Sequence, residues 1–64
     1  MMWLNLSEGM FYFGQGGITV YKTIDLRDKP STFLYRTELY ANSVRIDLVK
    51  ETVEEINEMM EGKK

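Results

Sequence analysis

MFYFGQGGITVY, residues 10–21, is the stretch whose reading decides the fold. It opens with four bulky residues, Met10 to Phe13, whose aromatic content favours an extended strand. Gly14-Gln15-Gly16-Gly17 follows, and then a run that alternates in character. Two readings compete. Consecutive glycines can turn their backbone N–H groups toward a phosphate, and flanking aromatics can stack on a base. Equally, glycines supply the positive φ angles of a hairpin loop. Phosphate loops of known mechanism open a helix. Here the next residues place Ile18, Val20 and Ile24 on one parity and Thr19, Tyr21 and Thr23 on the other, which is strand-like. The stretch therefore predicts a hairpin with a four-residue loop, and Gly14, Gln15, Gly16 and Gly17 stand as a candidate ligand loop.

Upstream, Met2, Leu4 and Leu6 recur at period two with Trp3 on the opposite parity, and Ser7-Glu8-Gly9 supplies a turn. Downstream, DLRDKPS carries the only proline, Pro30, and marks a break. TFLYRTELY then predicts a long strand with Phe33, Tyr35, Thr37 and Leu39 on one face and Leu34, Arg36, Glu38 and Tyr40 on the other. Ala41-Asn42-Ser43 turns the chain, and VRIDL alternates Val44, Ile46 and Leu48 against Arg45 and Asp47.

The period then changes. Val49, Val53, Ile56 and Met60 recur at helical spacing, with Met59 beside them. Thr52 followed by Glu55 three residues on fits a capping box. Glu54 and Glu55 suit the positive end of the helix dipole, and Gly62 followed by Lys63 and Lys64 suits the other end. The expectation is a single small α+β domain over residues 1–64. Its strand-rich part, 1–50, forms a small antiparallel sheet of four or five strands, and one C-terminal helix covers about 52–61.

FYFGQGGITVYKTI, PSTFLY and VKETVEEI together resemble the small flagellar FlbD-like proteins, with Val49 to Ile56 carrying the most specific match. The resemblance implies strand, turn, strand, loop and hairpin, closed by a valine- and glutamate-rich entry into a helix. The chain departs from that pattern at Gly14–Gly17, where the family has an Asn-Pro type of turn, and in a longer last hairpin.

Composition narrows the function classes. The 64 residues contain neither cysteine nor histidine. That removes disulfides, thiol or imidazole catalysis and the usual zinc ligands. Asp25 with Asp28, and Glu51 with Glu54 or Glu55, are carboxylate pairs, but one sits in a turn beside cations and the other on a solvated helix face. No catalytic residue, metal or cofactor is expected, and the chain is read as a non-enzyme. MMWLNLSEG lacks the basic start and apolar length of a signal peptide, and no run reaches the ~18 apolar residues of a membrane span. These features give a soluble, cytoplasmic expectation. Net charge is −2, with a nearly neutral body and an acidic tail, which disfavours broad nucleic-acid binding.

The aromatics are the most informative residues. MFYF and TFLY are apolar on both parities, which calls for cover on both faces of a sheet. A chain this short has little core of its own to spare. The expectation is a homo-oligomer that acts by binding a partner protein, as an accessory regulator or inhibitor. Trp3, Phe11, Phe13, Tyr35 and Tyr40 are its candidate interface residues. Two alternatives remain open: a nucleotide or phosphate binder through the glycine loop, and a single-stranded nucleic-acid binder using the tyrosines with Arg36 and Arg45.

Overall fold

The computed structural model describes residues 1–62. Five strands precede one helix: β1 (Met2–Leu6), β2 (Gly9–Phe13), β3 (Val20–Thr23), β4 (Thr37–Ala41), β5 (Val44–Val49) and α1 (Val53–Glu61). The α+β class is as the sequence predicts. The strands, however, form two antiparallel sheets, a β1–β2 hairpin and a three-stranded sheet in the order β3-β4-β5.

In the hairpin, Met2 faces Phe13, Trp3 faces Tyr12, Leu4 faces Phe11 and Leu6 faces Gly9. Alternation then sorts the side chains. Leu4, Leu6 and Phe13 are buried, with Met2 and Phe11 packed against them. Trp3, Asn5, Met10 and Tyr12 fall on the outward parity. In the second sheet, Leu39 and Thr37 of β4 are fully buried, paired with Asp47 and Val49 of β5. The two-residue Asn42-Ser43 loop joins β4 to β5 with both residues left-handed, at φ 53° and 64°. That backbone matches the twist of a tight hairpin.

Three strand readings are corrected. The segment after Gly17 does not pair with β2 as a hairpin. Instead Ile18 makes a single parallel bridge with Phe13, and the chain passes on into the other sheet. β3 is consequently short, and its Val20 is exposed although Ile18 and Ile24 are buried. TFLYRTELY becomes a strand only at Thr37, because residues 33–36 lie in an irregular segment. In β5, the pairing slips between Leu39 and Tyr40, whose partners are Asp47 and Arg45. Ile46 is the extra residue of this bulge. The bulge breaks the alternation of VRIDL, and Val44 and Ile46 are exposed while Val49 is buried.

The hairpin is tied to diagonally opposite corners of the three-stranded sheet. At one corner, the Lys50 N–H donates to the Ser7 hydroxyl at 2.9 Å and the Ser7 N–H donates to a Glu51 carboxylate oxygen at 3.0 Å. The buried Thr37 hydroxyl donates to the Glu51 carbonyl at 2.6 Å. At the other corner, Ile18 N–H donates to the Tyr12 carbonyl at 2.8 Å and Gly14 N–H to the Ile18 carbonyl at 2.9 Å. Among the described residues, no buried side-chain polar atom lacks a hydrogen-bond partner.

The helix closes the core. Thr52 caps it by accepting from the Glu55 N–H at 3.0 Å, while Glu55 accepts from the Thr52 N–H at 2.9 Å. Gly62 ends it in the left-handed region at φ 72°. Lys63 and Lys64, expected beyond that cap, lie outside the described residues. Ile56 is fully buried among Leu4, Leu6, Phe13, Ile18, Leu39 and Val49. Met59 and Met60 pack beside it, and Glu54 and Glu58 are exposed. The Tyr21 hydroxyl, on β3, donates to the Asn57 side-chain oxygen.

Ile56→Ala should cost ~2–5 kcal/mol, the range for emptying a well-packed aliphatic site, and thermal melting should show a large loss of stability. Ser43→Gly should raise stability by about 0.5–1 kcal/mol, because glycine removes the left-handed strain at a position with no buried contacts to lose. Denaturant titration would read this gain as a higher midpoint with an unchanged slope.

Candidate functional site

The glycine loop is built by topology. To lay Ile18 parallel to Phe13, the chain must reverse twice within four residues. Gly14 and Gly16 take φ 142° and 88°, which other residues adopt only with strain. Gly17 is needed for a different reason. A Cβ there would fall 2.3 Å from the Tyr12 carbonyl oxygen, well inside contact distance. The loop also uses its own donors. The N–H groups of Gly14 and Gly17, and that of the following Ile18, are bonded to carbonyls of this chain.

A shallow depression of about 390 Å³ lies beside the loop. Phe13, Ile18, Tyr21, Met1 and Met60 supply its apolar wall, with Gln15 and Thr19 at its polar rim. Among the described residues, no lysine or arginine lines it.

The five interface candidates do not share one surface. Trp3 is 64% exposed on the outward face of the hairpin, its ring 5.3 Å from that of Tyr12. Phe11 packs against the core from the inward face. Phe13 is 3% exposed and sits edge-on to Tyr21, so it belongs to the core and is withdrawn as a surface contact. Tyr35 is half-buried against Phe33 in the irregular segment before β4. Its hydroxyl is pushed up in pKa by the charge of Glu8 and by a hydrogen bond to that carboxylate. Tyr40 is half-buried on the outward face of the three-stranded sheet.

That outward face has a defined layout. Val20 pairs with Tyr40 and Lys22 with Glu38 across β3 and β4. Arg45 of β5 pairs with Tyr40 and reaches the Glu38 carboxylate at 3.6 Å. The Tyr40 hydroxyl donates to Glu38 at 3.1 Å, which raises its pKa. The Lys22 ammonium stands 4.9 Å from the Tyr40 ring centroid. A notch of about 270 Å³ opens between Val20, Lys22, Tyr40 and Ser43. The exposed Val20, Val44 and Ile46 were not singled out from the sequence as surface residues. Val20 lies outward opposite Tyr40 and Ile46 is the extra residue of the bulge, whereas Val44 keeps the parity of its partner Ala41 and is exposed at the end of the β4–β5 hairpin.

The free edge of β5 resists strand addition. The bulge at Ile46 twists it, and the Asp47 carboxylate accepts the Leu48 N–H at 2.8 Å. Bulges and edge charges are the usual ways of blunting such an edge.

The chemistry of the ionisable groups is conservative. Asp25 is held below the usual carboxylate range by hydrogen bonds from the Arg27 side chain and backbone. Asp28 pairs with Lys29 at 3.5 Å. Burial pushes the Tyr21 hydroxyl up. These shifts run away from neutral pH, opposite to the tuning of a general acid or base. Among the described residues, no group of three or more acidic, histidine or cysteine side chains could hold a metal ion, and no helix is long and apolar enough to cross a membrane. Comparisons with protein-family models, curated proteins and solved structures gave no match.

The two glycines separate the loop's structural roles. Gly16→Ala meets open space and strains only φ, so it should cost about 1 kcal/mol. Gly17→Ala drives a methyl into a backbone carbonyl and should cost clearly more, with loss of the Ile18 bridge visible in amide chemical shifts. Equal, small costs at both sites would show that the loop is not held as described.

Proposed function

We propose that this chain is a non-enzymatic interaction module that works as a homo-oligomer and binds a partner protein, in an accessory regulatory or inhibitory role. The observation that carries the reading is the amount of apolar surface on the outward faces of both sheets. Trp3 and Met10 are exposed on one, and Val20 and Ile46 on the other. The chain exposes 4660 Å², against about 4,300 Å² for a typical folded chain of its 7.5 kDa mass. Large aromatic and methionine side chains left in water are the usual anchors of protein interfaces.

The hairpin face suits self-association. Trp3, Asn5, Met10 and Tyr12 carry no charge, so two copies can meet there without like-charge repulsion. A two-fold arrangement is the simplest. The nucleotide-binding alternative is disfavoured by a loop whose Gly14, Gly17 and Ile18 N–H groups are already bonded within the chain and whose depression, among the described residues, holds no lysine or arginine. The single-stranded nucleic-acid alternative is disfavoured because Arg36 is engaged by the Phe33 and Tyr35 carbonyls and Arg45 by Glu38. The likeness of Val49–Ile56 to FlbD-like proteins fits an accessory role and rests on sequence alone.

Native mass spectrometry at micromolar concentration should give a multiple of the chain mass, with Trp3→Glu shifting it toward the single chain. The melting temperature should fall on dilution, since association and folding are linked. A single-chain mass with a concentration-independent melting temperature would overturn the homo-oligomer.

A further inference from the structure

We infer that the outward face of the three-stranded sheet, at its Tyr40 end, docks a protein segment that presents carboxylates beside apolar side chains. The inference rests on the reading above that the chain binds a partner protein, and it names the chemistry of that partner.

The argument is one of charge set against composition. The chain as a whole carries a net charge of −2. This face runs the other way. Lys22 and Arg45 flank Tyr40, and the acid between them, Glu38, is already bonded by the Tyr40 hydroxyl and faced by the Arg45 guanidinium. Among the described residues the Lys22 ammonium has no ion pair and stands over the Tyr40 ring. Elsewhere Arg27 is engaged by Asp25 and Lys29 by Asp28. The apolar part is equally specific. Val20 is 44% exposed and walls the notch that Lys22, Tyr40 and Ser43 complete, and Ile46 is 49% exposed beside Arg45. A segment bearing a carboxylate next to an aliphatic side chain would place one on Lys22 and the other against Val20 or Ile46.

A second copy fits this face poorly. Two such faces set against each other would oppose cation with cation. On the helix, the exposed carboxylates Glu54 and Glu58 lie about 160° around from Ile56, and the residues beside them on that stripe offer no apolar complement; Asp25 and Asp28, which flank the exposed Leu26, are already faced by Arg27 and Lys29. Like faces do not pair, and the partner proposed is a different chain.

The test uses the full chain, labelled for amide chemical-shift mapping. Two blocked probe peptides are added in turn, one alternating glutamate with valine and the other alternating lysine with valine. The glutamate peptide should move the amides of Val20, Lys22, Tyr40 and Arg45, despite the unfavourable net charge of both molecules, and the lysine peptide should not. Lys22→Glu should weaken the glutamate peptide by about tenfold, as an exposed attraction becomes a repulsion, while core amides keep their positions. Added salt should weaken it as well. Preference for the lysine peptide, or no response to either, would overturn the inference. So would shifts confined to Trp3, Met10 and Tyr12, which would leave partner binding standing on another face. Shifts of the Tyr40 face that grow with protein concentration alone would overturn it in favour of a second copy, and the mass measurement above decides the homo-oligomer separately.

Discussion

Ile56 is the contact on which the structure depends. The two sheets share one isolated backbone bridge, between Phe13 and Ile18, and otherwise meet through side chains. A two-stranded hairpin alone is marginal in water. The helix supplies what is missing by placing one fully buried isoleucine in the core cluster that holds Leu4 and Leu6 of the hairpin and Leu39 and Val49 of the second sheet. A nine-residue helix is itself too short to persist unaided. Hairpin and helix therefore each depend on packing against the rest of the fold.

The polar contacts serve that packing by fixing where the parts can sit. Thr37 is buried, and its hydroxyl reaches the Glu51 carbonyl just before the helix cap. Ser7 binds Lys50 and Glu51 on the same short segment. Residues 50–52 thus receive the hairpin turn, the central strand and the capping box within three positions. The capping geometry then aims Ile56 inward, one turn later. At the opposite corner the glycine loop does the same work with backbone alone.

Much of this was legible in the residues themselves. The cap at Thr52, the helical stripe, the first hairpin and the Asn42-Ser43 turn all rest on local rules, namely period, cap chemistry and turn residues. The departures have non-local causes. Gly14–Gly17 looks like a hairpin loop because both flanks are strand-like, yet its course is set by where Ile18 must lie relative to Phe13. Ile46 looks inward by its alternation with Val44 and Leu48, and as the inserted residue of the β5 bulge it is exposed. Phe33 and Tyr35 have strand-forming side chains, but they fall in the irregular segment before β4. The candidate surfaces suffered most from these shifts. Trp3 and Tyr40 could be found from alternation, whereas Val20, Lys22 and Ile46 become a surface only once the register is known.

The central claim is that helix, hairpin and three-stranded sheet form one cooperative unit closed at Ile56. Native-state amide hydrogen exchange on the unmodified chain tests it most directly, because it reports the free energy of opening segment by segment. The slowest amides of β1–β2, of β3–β5 and of α1 should open with the same free energy and the same denaturant dependence. Exchange of the hairpin amides at a distinctly lower free energy, with the three-stranded sheet still protected, would contradict the account.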